Sequence, residues 1–350
     1  MKKIEPDYNR LKTALSRGIP DRVPLFELAI AQRIKEVALG RRITSIKDEV
    51  EFSARCGYDY IKLSPIIDMN PGKVVPQEGK RVSNATEDVN QREWHASGKG
   101  MITSFEEYEA FQWPRIEDID YSRFEDVQEY LPEGMKIVAQ YGDIFTFTWD
   151  FMGFESFSFA LIDNPELVQL VFDRIGSLIY SMFENMATFP NVGALYYTDD
   201  IAINTGLFVS PSVYKKYLFP WMKKISALCT QHNLEYIYHS DGDLHEVFGD
   251  LKECGINGLH PIEPQAMDIR KVKQLLKNDF CLLGNVDVDL LSRGKPEDIE
   301  KAVLGLLGDV APEGGYCLGS GNSVPEYVSY ENFKAMTETV LKHGYYPIDI

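Results

Sequence analysis

A histidine and an aspartate lie two residues apart at the end of one largely apolar run. Residues 234–239 lead directly into Ser-Asp-Gly. Because side chains alternate along a β-strand, His239 and Asp241 are expected to point to the same side of its carboxyl end. A neutral imidazole and a carboxylate are ordinary ligands of a catalytic zinc ion, which takes about three protein ligands. The two side chains could instead hydrogen-bond to each other and cap a helix beginning near Leu244.

Polar residues also follow several other strand-like runs. They are Asp199 and Asp200, His260 and Glu263, Asn285 and Asp287, and the run Gly319-Ser320-Gly321-Asn322-Ser323. The carboxyl ends of barrel strands meet at one face, where catalytic and ligand-binding groups gather. The Asp, Asn and Ser residues are also preferred helix N-caps, and the glycine-rich run suits a tight turn as well as an anion-binding nest. Their convergence, more than any single residue, predicts a polar cleft.

Aromatic residues are concentrated at residues 145–154 and at Tyr196 and Tyr197. Phe147, Trp149 and Tyr196 could wall a pocket for a planar substrate. Burial in the hydrophobic core is the alternative interpretation of these rings.

The elements that would position these residues alternate along the chain. Short β-rich runs, each followed by an amphipathic stretch, are typical of βα units around a parallel sheet. Strands are predicted at residues 23–28, 58–63, 136–140, 193–198, 234–239, 258–262, 280–284 and 316–318. Helices are predicted over 212–231 and 296–307, among others. The sequence therefore predicts an α/β fold, a (β/α)8 TIM barrel in one domain over residues 1–350, with a small hairpin insertion near residues 70–105.

Composition excludes several classes of partner. The net charge of −17 repels phosphate backbones and anionic membrane surfaces, and no Lys/Arg cluster offsets it. No apolar run reaches the roughly 20 residues of a membrane span, and the N-terminus has no apolar signal segment. We therefore expect a cytoplasmic protein that binds neither nucleic acid nor membrane. The five cysteines, without a Cys-x-x-Cys pair, are predicted to be buried reduced thiols.

An ordered set of motifs extends along the whole chain. It consists of Pro-Asp-Arg-Val-Pro at 20–24, Thr-Asp-Asp at 198–200, Phe-Val-Ser-Pro at 208–211, Tyr-Leu-Phe-Pro at 217–220, His-Ser-Asp-Gly at 239–242, Gly-Leu-His-Pro-Ile-Glu-Pro at 258–264 and Gly-Ser-Gly-Asn-Ser-Val-Pro at 319–325. In this order the motifs resemble those of the uroporphyrinogen decarboxylase superfamily. The resemblance implies a distorted (β/α)8 barrel with a deep cleft at the carboxyl ends of its strands, and a homodimer.

The chain departs from the decarboxylases of this superfamily at two places. The resemblance implies an Arg-Gln-Ala-Gly-Arg motif after the first strand, where this chain has the acidic Glu27 and the single Arg33. It also implies an aspartate near the end of the second strand, where only Asp68 follows at some distance. Without arginines, the carboxylates of a porphyrinogen would be desolvated and unpaired. Decarboxylation of uroporphyrinogen is therefore the alternative and not the first prediction.

The other branch of the superfamily comprises methyltransferases. Their zinc is bound by His-x-Cys after the sixth strand and by a late cysteine, where this chain has His239, Asp241 and the Asn322 region. An oxygen-rich site suits a harder Lewis acid that polarises an ether oxygen. The resemblance thus implies metal-assisted transfer of a methyl group from a small methoxylated compound to a corrinoid on a partner protein, with zinc as the metal and no nucleotide cofactor.

The predicted site follows from this function. The predicted metal ligands are His239, Asp241, Glu263 and Asn322. The predicted catalytic residues are Asp199, Asp200 and His239, of which Asp199 and Asp200 would orient the substrate or protonate the leaving oxygen. The predicted substrate contacts are Phe147, Trp149, Tyr196, His260 and Asn285. A barrel that binds a small molecule without turnover is the second alternative.

Overall fold

Parallel strands form the centre of the computed structural model, which describes residues 5–74, 100–276 and 279–350. In chain order the strands are β1 Tyr60–Leu63, β2 Lys136–Gly142, β3 Val192–Thr198, β4 Ala202–Ile203, β5 Gly206–Leu207, β6 Glu235–His239, β7 Gly258–His260, β8 Cys281–Leu283 and β9 Tyr316–Cys317. Seven of them make one curled sheet in the order β1-β2-β3-β6-β7-β8-β9, and every neighbouring pair is parallel. The short strands β4 and β5 form a separate antiparallel hairpin.

Helices follow the strands in the described part of the chain. They are α1 Tyr8–Leu15, α2 Gln32–Leu39, α3 Ile46–Arg55, α4 Phe105–Ala110, α5 Ser122–Asp126, α6 Ile144–Met152, α7 Phe154–Asp163, α8 Pro165–Met186, α9 Pro211–Tyr217, α10 Phe219–His232, α11 Phe248–Glu253, α12 Ile269–Leu276, α13 Val288–Arg293, α14 Pro296–Val310 and α15 Tyr330–His343. Short 3₁₀ turns lie at Ile116–Asp118, Val127–Glu129 and His245–Val247. Over the described ranges, no helix combines the length and the apolarity needed to cross a bilayer.

The predicted fold class is confirmed: the molecule is a distorted (β/α)8 barrel. Strands β3 and β6 are buried along their whole length, as expected of parallel strands with helices against the sheet. The strand predicted at residues 23–28 is the exception, because it forms only bridge-like pairing with the end of β9. Phe26 N–H donates to Leu318 O and Leu318 N–H donates to Pro24 O, but Pro24 has no N–H with which to continue a ladder.

Side chains join this first segment to β1. At the carboxyl end, the Tyr60 hydroxyl accepts a hydrogen bond from Glu27 N–H at 2.9 Å. At the amino end, Arg22 and Arg10 both approach the buried carboxylate of Asp59, with Arg10 Nη1 2.5 Å from Asp59 Oδ1. Polar side chains thus hold the barrel together where a complete backbone ladder is missing.

Two local predictions differ from the structure or lie outside it. The helix predicted over 212–231 is divided into α9 and α10 at Leu218. Pro220 explains the division, because it lacks the N–H that a continuous helix would require there. Most of the hairpin insertion predicted near residues 70–105 falls on 75–99, outside the described residues. All five cysteines are free thiols, and four of them are buried.

Candidate functional site

A cavity of about 620 Å³ opens at the carboxyl ends of β1, β2, β3 and β6. The strand ends supply its polar wall through Lys62, Gln140, Thr198 and His239. Lys62 Nζ donates to Gln140 Oε1 at 2.7 Å, and Gln140 Nε2 donates to Thr198 Oγ1 at 3.2 Å. This chain of hydrogen bonds crosses three neighbouring strands and fixes the floor of the cavity. The position agrees with the rule that barrel enzymes place their sites at this face.

Asp200, His239 and Asp241 form a compact group beside the cavity. Their potential ligand atoms all lie within 4.8 Å of one another. His239 Nε2 is 3.5 Å from Asp200 Oδ1 and 3.7 Å from Asp241 Oδ1. Both distances exceed those of a hydrogen bond. His239 and Asp241 therefore do not hydrogen-bond directly through these atoms, which was the alternative interpretation of their spacing. The three groups surround a common point instead.

Hydrogen bonds hold both carboxylates of this group in place. Asn322 Nδ2 donates to Asp241 Oδ2 at 2.6 Å, which leaves Oδ1 on the side of His239. The backbone N–H of Asp241 donates to Asp200 Oδ1 at 2.8 Å. Asn322 is therefore a hydrogen-bond donor to Asp241 and not a member of the group. The third member is Asp200, whereas Glu263 and Asn322 had been predicted as the further ligands.

The second ring nitrogen of His239, Nδ1, contacts His260. The two Nδ1 atoms are 2.8 Å apart, and the Tyr196 hydroxyl lies 3.0 Å from the same His260 nitrogen. Burial lowers the pKa of His239 to about 4 and the pKa of His260 well below its usual value. Both rings are therefore neutral at pH 7. When His239 Nε2 presents its lone pair to a ligand, its Nδ1–H donates to His260.

Three predicted site residues lie away from the cavity wall. His260 is fully buried behind His239. Glu263 accepts a hydrogen bond from Gly242 N–H at 3.0 Å, next to Asp241 but outside the compact group. Asn285 donates through Nδ2 to the backbone carbonyl of Ile262. Each of them supports the loops that carry the group.

Asp199 accepts hydrogen bonds at the start of helix α6. Its carboxylate accepts hydrogen bonds from Phe145 N–H at 2.7 Å, from Thr146 N–H at 3.0 Å and from the Thr146 and Tyr197 hydroxyls at 2.9 and 2.5 Å. These donors include N–H groups of the first helical turn, which have no partner inside the helix. Burial raises the pKa of Asp199 to about 6. Of the predicted aspartate pair, Asp200 is the one that faces the candidate ligands.

The predicted aromatic wall is formed by other rings. Phe147 packs on Phe151, and Trp149 packs on Phe154 and Phe208; neither Phe147 nor Trp149 is among the described residues lining the cavity. Tyr196 is fully buried behind the strand ends. Among the described residues, the aromatic side chains that line the cavity are those of Phe52, Tyr58 and Tyr60. They come from the first sixty residues, where the sequence analysis assigned no pocket function.

Three acidic residues that line the cavity, Glu27, Glu49 and Asp143, were not among the predicted site residues. Asp143 follows β2 with a left-handed backbone (φ 71°) and precedes α6; burial, and then the nearby Asp199, raise its pKa well above the usual range. Glu27 is only 3% exposed, and burial raises its pKa to about 8. For Glu27 and Asp143 the available signal was a position at or shortly after the end of a predicted strand.

Glu27 is expected to make folding stability dependent on pH. Its pKa is higher in the folded chain than the usual 4.5, so the folded state holds a proton that the unfolded state releases. The stabilising contribution is complete below about pH 4.5 and is lost as the pH rises to about 8. We expect Glu27→Gln to remove this contribution, so that the variant gains free energy of unfolding relative to wild type across this window. Urea denaturation at stepwise pH values measures it, and a constant difference would contradict it.

Comparisons with known proteins place the chain among related barrels. The family model of uroporphyrinogen decarboxylase (URO-D) matches residues 114–343, more than half of the chain. A solved methyltransferase from Methanosarcina mazei is similar over 95% of this chain and 97% of that chain, with a TM-score of 0.67 and 18% identity. An IOLI protein with a bound zinc atom matches 91% of this chain and 97% of its own, with a TM-score of only 0.36 and 11% identity. No curated protein matches significantly. The methyltransferase shares the fold.

Proposed function

The chain belongs to the uroporphyrinogen decarboxylase family, and from this premise we propose that it is a metal-dependent methyltransferase. The proposed methyl donor is a small methoxylated compound, and the proposed acceptor is a reduced corrinoid carried by a partner protein. The observation that carries the proposal is the compact group of Asp200, His239 and Asp241 beside the cavity.

The donor set of this group suits zinc. One imidazole nitrogen and two carboxylate oxygens are ordinary ligands of catalytic zinc, which keeps a further position for substrate or water. Ligand atoms about 2.0–2.1 Å from a tetrahedral ion lie roughly 3.4 Å apart, close to the separations of 3.5 and 3.7 Å from His239 Nε2. Asp200, His239 and Asp241 would hold the ion. When bound, it supplies a Lewis acid that polarises the ether oxygen.

The remaining residues of the site orient the group and enclose the substrate. Asn322 fixes the rotation of the Asp241 carboxylate, and His260 fixes the His239 ring from behind. An apolar wall for the body of the substrate is formed by Phe52, Tyr58 and Tyr60. A substrate bound against this wall would displace water from around its reacting methyl group.

The charge of the cavity favours this function over porphyrinogen decarboxylation. Its described lining includes five carboxyl groups, those of Glu27, Glu49, Asp143, Asp199 and Asp200, and three cations, those of Lys35, Lys62 and Arg123. Arg123 is already paired with Glu49, with both carboxylate oxygens 2.9 Å from Nη2. A substrate with many carboxylates would need a cation for most of them, which the three cations of this lining do not supply, whereas a small ether places no such demand on the site.

Asn322→Ala is expected to weaken zinc binding. The substitution frees the Asp241 carboxylate to rotate, and loss of such an orienting partner typically lowers metal affinity about 10- to 100-fold. Competition with a chromophoric chelator measures the dissociation constant. Asn191→Ala is the control, because Asn191 bonds to Gln128 on the exposed surface at the amino end of β3. Equal affinities for the two variants would count against Asp241 as an oriented ligand.

A methyl-transfer assay tests the proposed function. Zinc-loaded protein is mixed anaerobically with cob(I)alamin and a panel of methyl ethers, and the absorbance change on methylation of the corrinoid is followed. We expect zinc-dependent transfer from at least one ether. In a parallel reaction uroporphyrinogen replaces the ether. Release of carbon dioxide in that reaction, with no methyl transfer from any ether, would overturn the proposal in favour of the decarboxylase alternative.

A further inference from the structure

We propose that Glu27 is the general acid of the site, held as a neutral carboxylic acid that gives its proton to the oxygen released when the methyl group leaves. The inference rests on the proposed function and adds a catalytic residue to it. Glu27 lines the same cavity as Asp200 and His239. It lies on the segment that joins β9 to β1, away from the strands that carry the candidate metal group.

Ser320 holds the Glu27 carboxyl in a contact that suits both of its protonation states. Ser320 N–H donates to Glu27 Oε1 at 2.8 Å, and Ser320 Oγ lies 2.5 Å from Oε2. Ser320 is the donor in both hydrogen bonds, and each carboxyl oxygen can accept one of them whether or not it carries the acidic proton, so that proton remains available to another acceptor. Glu27 can therefore lose and regain its proton without breaking this contact.

Burial explains why the acid is neutral before reaction. Glu27 has an exposed fraction of 3%, and burial raises the pKa of its carboxyl to about 8 despite the two hydrogen bonds from Ser320. An acid whose pKa is near the working pH is the most effective proton donor, since it is protonated yet gives its proton readily.

The other aspartates of the cavity are less suited to this role. Asp199 accepts four hydrogen bonds from the start of α6 and Tyr197. Asp200 belongs to the candidate metal group. Asp143 is also buried with a raised pKa, but the neighbouring Asp199, Asp200 and Asp150 strengthen its hold on the proton and make it a weaker proton donor. Glu27 lies outside both the start of α6 and the candidate metal group, and its carboxyl accepts two hydrogen bonds from Ser320.

The step balances without an additional reagent. The bond between the ether oxygen and the methyl carbon breaks, and its electron pair stays on oxygen. The methyl carbon forms its new bond to the reduced corrinoid, whose electron pair supplies that bond. The proton moves from Glu27 to the ether oxygen, which leaves as an alcohol or phenol, and a proton taken up from the solvent restores the Glu27 carboxylic acid.

Glu27→Gln and a series of substituted methoxybenzenes test the proposal. Glutamine is isosteric with the protonated acid and can keep both Ser320 contacts, but it has no proton to give. We expect transfer from ethers of weakly acidic phenols to fall about 10²- to 10⁴-fold, with KM unchanged. Transfer from ethers of strongly acidic phenols, which leave without protonation, should stay close to the wild-type rate.

Glu235→Gln is the matched control, since Glu235 is also a buried glutamate with a raised pKa but lies at the amino end of β6. It should transfer from every ether at the wild-type rate. An equal loss with all ethers in Glu27→Gln would show a structural role and overturn the proposal, as would wild-type rates throughout. A dependence on the leaving group in Asp143→Asn and not in Glu27→Gln would transfer the role to Asp143.

Infrared difference spectra test the protonation state of Glu27 without methyl transfer. At pH 7 the spectrum of Glu27→Gln should lack a carboxylic-acid carbonyl band that the wild-type chain has. Loss of a carboxylate band instead would overturn the proposal even in an active enzyme. An inactive wild-type chain would overturn the proposed function and the transfer step together, and the infrared result would still decide the protonation state.

Discussion

His239→Ala is expected to remove zinc binding and to lower methyl transfer about 1000-fold or more. His239 provides the only nitrogen donor of the compact group formed by Asp200, His239 and Asp241, and a catalytic zinc site with about three protein ligands does not tolerate the loss of one. Loss of the Lewis acid removes several kcal/mol of transition-state stabilisation, and each 1.4 kcal/mol is a factor of ten in rate. Elemental analysis and the cob(I)alamin assay measure both effects.

His245→Ala provides the matched control for this prediction. His245 lies six residues later on the exposed surface, with its Nδ1 2.5 Å from Asp243 Oδ1. It lies outside the compact group, so we expect wild-type zinc content and turnover. A His239→Ala enzyme that stays fully active without metal would exclude the metal-assisted mechanism.

Asp199→Ala is expected to lower the free energy of unfolding by about 3–5 kcal/mol. The substitution leaves the Phe145 and Thr146 N–H groups and the Tyr197 hydroxyl without their acceptor. Each buried donor that loses its partner costs about 1–3 kcal/mol, and part of this cost is recovered by relaxation or water. Urea denaturation with circular dichroism measures the change.

The neighbouring aspartate should behave in the opposite way. Asp200 has a half-exposed side chain that accepts the Asp241 N–H, so Asp200→Ala is expected to change stability by no more than about 1 kcal/mol while weakening zinc binding. A large loss of stability in Asp200→Ala with little loss in Asp199→Ala would reverse the roles assigned to the pair.

Much of the fold could be predicted because its determinants are local. Alternating β-rich and amphipathic runs predicted the parallel sheet, and seven of the eight predicted strands are present among the described residues. The segment at residues 23–28 was predicted as a strand but forms only a bridge to the end of β9. A longer ladder would require an N–H at position 24, and Pro24 has none. Likewise, apolar periodicity predicted one helix where Pro220 divides α9 from α10.

The site was only partly predictable because it depends on register between strands. Alternation within β6 placed His239 and Asp241 on one side, which the structure shows. The pairing of Thr198 with His239 brings Asp200 beside Asp241, and one sequence does not contain this register. Glu27 lies at the end of a predicted strand, but its contact with Ser320 depends on closure of the barrel, which one sequence does not contain.

Crystallographic anomalous scattering at the zinc edge, on crystals of the zinc-loaded protein, tests the central claim most directly. We predict one strong peak within bonding distance of His239 Nε2 and of one carboxylate oxygen from each of Asp200 and Asp241. A fully loaded protein without a peak at these three residues, or with its zinc bound elsewhere, would contradict the account.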